Sequence, residues 1–278
     1  MDTARGGRSN MDRLGASMAT AEFRFYEELN DFLAPACRKR AFHHRCARAA
    51  TVKNAIESLG VPHTEVEVIL VNGESVDFSH IVREGDRVAV FPKFETLDVR
   101  PLLRVREVPL RQTRFVADAH LGGLARLLRM LGYDTLYSNH LDDDEIIELS
   151  ARDGRIILTR DRELLKRKEV THGCFVHALK AEAQFGEIVE RLQLAGGARP
   201  FTLCLHCNRP LEAVEKTAVV DRLPFQVREH YDRFCTCPGC GRIFWEGSHW
   251  DRMWRRLRAA VPELGADAAL TAGVEVRE

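Results

Sequence analysis

The sequence predicts a multi-domain chain of mixed α+β and α/β class, and three observations carry that prediction. From about residue 20 to 98 the order is strand, strand, helix, then short strands around an Asn-Gly turn, which makes an α+β roll. From 113 to 196 strands and helices alternate four times, which implies a parallel sheet with helices on both faces. From 200 to 258 two C-x-x-C pairs mark a metal-tied module. The expected layout is a leader at 1–19, the roll at 20–98, a basic linker at 99–112, the α/β domain at 113–196, the cysteine module with a basic helix at 200–258 and a tail at 259–278.

Composition excludes several classes. The 278 residues hold 41 Lys plus Arg and 41 Asp plus Glu, so the net charge is zero and a histone-like binder is excluded. No run of 18 apolar residues is present to span a membrane, and the leader lacks an apolar signal core. Four of the eight cysteines sit in the two pairs, a metal pattern rather than a disulfide framework, which fits a reducing cytoplasm.

The elements follow in order. "EFRFYEEL" alternates as a strand and "AFHHRCARA" supplies a second. "TVKNAIESLG" spaces Val52, Ala55, Ile56 and Leu59 as a helix, with Gly60 as its stop. Asn72-Gly73 between β-type runs predicts a hairpin, and "EGDRVAVFPKF" closes the roll with a strand. This run resembles the β-grasp of ubiquitin-like sulfur carriers. It lacks their C-terminal Gly-Gly, since "FPKFETLDVRPLL" runs on, so it resembles the fold without the carrier chemistry. The linker that follows holds Arg100, Arg104, Arg106, Arg111 and Arg114 against one glutamate, as either a solvated strip or a phosphate contact.

In the α/β domain "RFVAD" is the first strand. "LGGLARLLRMLG" follows as a helix with Leu121, Leu124, Leu127, Leu128 and Leu131 on one face and Arg126 and Arg129 off it. "DTLYS", "RIILT" and "GCFVHAL" are strands, and "DDDEIIELSARDG", "DRELLKR" and "EAQFGEIVERLQL" are helices. Ligands of such sheets bind at the carboxyl ends of the strands. Asp118 closes the first strand, Asp161 follows the third, and Asp142, Asp143 and Asp144 open the helix after the second. Asp161 alone reads equally as a helix cap and "DDDE" alone reads more readily as a solvated helix start, whereas Asp118 closes a buried strand, where a charge is costly unless used or paired; three strand ends offering carboxylate on one rim suit a hard divalent cation and phosphodiester chemistry. Within "DDDE", Asp143 and Asp144 are favoured, with Glu163 as an outer candidate. The "HLGGLARLL" turn lacks G-x-G-x-x-G, which argues against a dinucleotide-binding enzyme.

The long stretch "FVADAHLGGLARLLRMLGYDTLY…DDDEIIELSARDGRIILTRDREL", followed by "CPGCGRIFWEGSHWDRM", resembles the PIN-like ribonuclease family named for the C-terminal domain of the Mut-seven exonuclease (Mut7-C). The preceding β-grasp is similar to the ubiquitin-like domain fused to bacterial members. The resemblance spans about residues 20–258 and implies a β-grasp domain, a PIN-like parallel α/β domain and a zinc ribbon. It also implies RNA hydrolysis that depends on Mg²⁺ or Mn²⁺. By position the acidic site comprises Asp118, one of Asp142 to Asp144, and Asp161. The family often has a second acid where this chain has Ala119, so one ligand candidate is missing. His120 is read first as a core histidine and second as a phosphate contact.

Cys204, Cys207, Cys237 and Cys240 give two knuckles suited to a tetrahedral, structural Zn²⁺ with no open position. Cys235 and His206 are set aside as ligands, and Cys37, Cys46 and Cys174 are read as buried or incidental thiols. "SHWDRMWRRLRAA" places Trp250, Met253, Trp254 and Leu257 on one helical face and Arg252, Arg255, Arg256 and Arg258 around the rest. It reads first as a packing helix and second as an RNA grip through Arg252, Arg255 and Arg256. Arg126, Arg160 and Arg162 are the candidate phosphate contacts near the acids. The expected function is a cytoplasmic, metal-dependent ribonuclease. The rivals are a non-catalytic RNA-binding adaptor and a protein-interaction scaffold built on the β-grasp, whose own partner the sequence does not name.

Overall fold

The computed structural model describes residues 18–92, 104 and 113–264. Most of the expected leader, most of the basic linker with Arg100, Arg106 and Arg111, and the tail beyond 264 lie outside the described residues. The chain divides into two compact units between residues 107 and 108.

In the first unit β1 (Ala19–Phe25) pairs antiparallel with β2 (Phe42–Cys46) and parallel with β5 (Arg87–Phe91). β3 (Val68–Val71) and β4 (Glu74–Val76) complete the five-stranded order β2-β1-β5-β3-β4. The parallel central pair demands a crossover, and α1 (Val52–Ser58) lies within it, capped by the Thr51 hydroxyl on the Asn54 N–H. This is the β-grasp the sequence anticipated. β1 starts earlier and ends earlier than the alternation suggested, because residues 27–32 wind into a 3-10 turn with Glu27 at φ 43°. The hairpin turn has Asn72 at φ 53° and Gly73 at φ 93°, the left-handed pair that an Asn-Gly turn requires.

In the second unit β6 (Phe115–Ala117), β7 (Thr135–Tyr137), β8 (Ile156–Thr159) and β9 (Gly173–Phe175) form a fully parallel sheet in the order β7-β6-β8-β9. Helices α2 (Gly122–Met130), α3 (Asp143–Asp153), α4 (Arg162–Lys166) and α5 (Ala181–Arg191) alternate with the strands. Phe115, Ala117, Leu158, Cys174 and Val176 share one face and pack with Leu124, Leu128, Phe185 and Ile188 of α2 and α5. α3 lies against β6 and β8, and Val116 and Ile157, of the opposite register, are fully buried.

The chain then makes β10 (Glu212–Val214), α6 (Lys216–Val219), α7 (Phe225–His230), β11 (Phe234–Thr236) and β12 (Ile243–Phe244), the last three strands forming a small antiparallel sheet. α8 (Ser248–Ala260) starts against this ribbon and runs on into the α/β core. Trp254, Leu257 and Val261 join Phe201 in the α2/α5 core. Trp250 and Trp254 stack at 5.9 Å and both rings tilt onto Phe201. Trp254 and Leu257 are therefore committed to packing, as the first of the two sequence readings had it, while Trp250 and Met253 of the same face are half-buried.

Candidate active site and metal centre

β6, β8 and the loop after β7 end on the same rim because all four strands run parallel. Asp118 follows Ala117 directly, and its backbone N–H bonds the Leu158 carbonyl at 3.0 Å. Its carboxylate caps nothing. Instead Oδ2 accepts the Thr159 hydroxyl at 2.7 Å. The same hydroxyl oxygen accepts the Asp161 backbone N–H at 2.9 Å. Asp161 is the N-cap of α4, with Oδ1 accepting the Glu163 N–H at 2.7 Å. The cap engages one oxygen and leaves Oδ2 for another partner.

The three aspartates that open α3 have separate environments. Asp142 makes a capping box: its Oδ1 takes the Glu145 N–H at 2.9 Å and Glu145 returns to the Asp142 N–H at 3.0 Å. Asp144 is exposed and pairs with Arg167 at 2.8 Å. Asp143 feels both other acids. Burial first, then the charges of Asp161 and Asp118, push its carboxyl above the usual range, with Arg167 opposing. The acids share a field without converging: among the described residues, the cysteines form the one cluster of potential metal ligands whose donor atoms all lie within 4.8 Å of one another.

That cluster is Cys204, Cys207, Cys237 and Cys240. A tetrahedron with Zn–S bonds of about 2.3 Å has sulfur–sulfur edges of about 3.8 Å. Cys204 and Cys240 are 3.7 Å apart, and Cys207 and Cys237 3.2 Å, so the four thiols fit a metal such as zinc. Their acidities are split. A backbone hydrogen bond from Arg242 draws Cys240 down to about 6, while burial and then hydrogen bonding among the sulfurs push Cys207 up to about 12. Cys235 is buried beside the cluster and His206 is exposed; neither belongs to it.

The Mut7-C RNAse domain family matches residues 113–257, which takes in both the acidic rim and the four cysteines. The chain belongs to that family. Residues 18–98 match the companion Mut7-C ubiquitin family. A stretch of 108 residues is 34% identical to the human "Exonuclease mut-7 homolog", covering 37% of this chain and 12% of that protein. The chain thus spans a small part of that relative's length. Two crystal structures of small archaeal modifier protein 1 from Haloferax volcanii match 27% of this chain, at 22% and 20% identity, over 99% and 97% of their own. Their TM-score of 0.23 carries no functional weight. The matched family is that of an RNAse domain, and the human relative is named as an exonuclease homolog.

Around the rim of this Mut7-C domain, several cations serve the fold. Arg160 reaches the His177 carbonyl at 3.2 Å and also the Ala178 carbonyl, and Arg162 lies over the Phe175 ring at 5.3 Å. Arg126 is exposed on α2. On α8, Arg252 and Arg255 are exposed and Arg256 pairs with Glu182 of α5. His120 is exposed rather than in the core, because the 3-10 turn at 119–121 buries Leu121 instead. Glu163 pairs with Lys166 at 2.8 Å and is 79% exposed.

Three residues escaped the sequence reading. Thr159 joins two of the acids, yet a threonine at a strand end looks like ordinary β propensity. Tyr137 donates to the Ala119 carbonyl at 2.9 Å beside Asp118, and a Cβ on Gly122 would meet its hydroxyl at 2.5 Å, so any larger residue there would displace the tyrosine. Arg129, expected off the apolar face of α2, is buried instead. It donates to the Thr135 carbonyl at 2.8 Å and to those of Leu205 and His206 at 3.3 and 3.0 Å, fastening the first cysteine knuckle to the sheet.

Proposed function

We propose that this Mut7-C protein is a cytoplasmic, metal-dependent ribonuclease, and that Asp118, Asp143 and Asp161 are its catalytic carboxylates. The observation that carries the reading is the shared rim of these three acids at the carboxyl ends of one parallel sheet, where burial and then the charges of Asp161 and Asp118 push the Asp143 carboxyl above its usual range. Negative charge concentrated on a rim is relieved when a cation binds.

The donor set suits Mg²⁺ or Mn²⁺, which take oxygen ligands and keep several waters. When bound, such an ion supplies a Lewis acid that neutralises charge on the phosphodiester and acidifies a water. The chain's own part is positional. Thr159 fixes the Asp118 carboxylate, the α4 cap orients Asp161, and the Asp142–Glu145 capping box sets the first turn of α3 that carries Asp143. Asp144 is engaged with Arg167 and is the weaker ligand. The four cysteines would hold Zn²⁺ as a structural tie, since four thiolates leave no position for a substrate.

The test is cleavage of labelled single-stranded and hairpin RNA by the full chain with Mn²⁺, beside Asp118→Asn and Asp161→Asn variants verified as folded. Cleavage by the parent alone supports the reading. Equal activity or equal inactivity of all three across metals overturns it, and RNA affinity without cleavage favours a non-catalytic adaptor.

A further inference from the structure

The ribbon and the start of α8 line an open pocket of about 620 Å³, a volume suited to a small ligand of nucleoside size. Its aromatic lining comes from Tyr231, Phe244, Trp245 and Trp250, and its polar groups from Gln226, His230 and His249. Gln226, His230 and His249 are exposed, so polar groups stand at the edge of an aromatic slot. The indole N–H of Trp250 is buried and meets no acceptor among the described residues. Gly247 is in place because a Cβ there would lie 2.8 Å from the Trp245 Nε1 and 3.4 Å from the Tyr231 hydroxyl, so two more donors gather at the cavity. Phe225, next to Gln226 in the chain, is 75% exposed. Arg252 and Arg255 are exposed on the helix that lines the cavity.

We propose that this cavity is a nucleobase pocket that takes one unpaired base of single-stranded RNA, with the flanking phosphates met by the exposed arginines of α8. An apolar peptide side chain would use the aromatic walls but leave the polar edge unmatched. A base offers a π-face to the walls and ring nitrogens or carbonyls to the donors. The proposal takes its ligand class from the ribonuclease reading. It goes further by giving the ribbon a substrate role, separate from its metal, and by making the enzyme selective for unpaired RNA.

The chain's three tryptophans are Trp245, Trp250 and Trp254; two line the cavity and the third stacks on Trp250. Intrinsic tryptophan fluorescence therefore reports on this region alone. The full chain, without added Mg²⁺ or Mn²⁺, is titrated with a short single-stranded oligoribonucleotide and with an abasic strand of equal length, while anisotropy follows overall binding. The pocket requires quenching by the base-bearing strand, with the abasic strand binding about tenfold more weakly. Trp245→Leu removes a wall and should lower affinity for the base-bearing strand about tenfold. Gln226→Glu, which adds a negative charge at an exposed position without touching the core, should weaken binding severalfold. Equal binding of the two strands, RNA binding with unmoved fluorescence, or no binding at all overturns the proposal. Because no cleavage is read, the pocket can fail while the nuclease reading holds, and the reverse.

Discussion

The Thr159 hydroxyl donates to Asp118 Oδ2 at 2.7 Å while its oxygen accepts the Asp161 backbone N–H at 2.9 Å. One fully buried side chain thus sets the spacing between the ends of β6 and β8. Groups that orient a metal-binding carboxylate typically matter about 10- to 100-fold in affinity or activity. Thr159→Val keeps the shape and removes both bonds. We expect cleavage to fall by about that factor, with the Mn²⁺ dependence shifted to higher concentration, and Thr159→Ser to restore most of it. A Val variant with unchanged activity would show that the bridge has no part in positioning.

The three aspartates of "DDD" should separate cleanly. Asp143→Asn is expected to lower cleavage by about 100-fold or more, as loss of a group acting on transition-state charge does. Asp144→Asn removes an exposed pair with Arg167 and should leave cleavage unchanged. Asp142→Ala removes a helix cap, at about 1 kcal/mol of stability, with little effect on rate in the folded protein. Single-turnover rates beside thermal melts of the three variants check this. Equal losses from Asp143 and Asp144 would mean that the first turn of α3 acts as a diffuse acidic patch.

How much of this was legible in the sequence depends on the range of the interaction. Asp118 and Asp161 declared themselves because each follows a short apolar strand, and in a parallel sheet strand ends share a rim. The Asn72-Gly73 turn and the four cysteines were legible for the same reason: their chemistry is set by neighbours in the chain. Arg129 was not, since its carbonyl partners at Leu205 and His206 lie 76 and 77 residues away and its position on α2 borders the apolar face. Nor was the choice within "DDD", because helix-start acids look alike until a capping box and an arginine claim two of them. The affiliation of α8 was hidden too: its periodicity shows an apolar face, and only the packing of Trp254 and Leu257 against Phe201 and α5 shows what that face covers.

Metal at the cysteines should matter beyond the ribbon. Arg129 is buried, and burial lowers its basicity while Cys204, Cys207 and Asp134 counter that. It binds the knuckle's carbonyls from inside the α/β core, and α8 returns from the ribbon into the same core. Cys204→Ser or treatment with a chelator is therefore expected to lower the Tm of the whole second unit. Metal analysis of the parent should give one zinc per chain. Differential scanning calorimetry with zinc added back checks it. A chelated protein with an unchanged melt would confine the site's effect to the ribbon.

Glu187 provides a test by acid. It accepts the His177 and Ala178 backbone N–H groups at 3.0 and 2.9 Å and the His177 ring at 2.9 Å, pinning the loop after β9. Burial pushes its carboxyl up, but the hydrogen bonds from His177 and Ala178 outweigh that and bring it down to about 2 from an ordinary 4.5. A carboxyl depressed by folding contributes stability that is fully present above its unfolded value and is lost as the pH falls toward its folded value. The window is therefore from about pH 4.5 down to about 2, and the contribution at neutral pH is on the order of 3 kcal/mol. Urea unfolding at pH 7, 4.5 and 3 should show the parent losing stability most steeply in the last interval. Glu187→Gln should be less stable than the parent at pH 7 and flatter below 4.5, because its amide does not titrate. A variant that keeps the parent's acid slope would assign that slope to other carboxylates and remove Glu187 as the anchor of the loop.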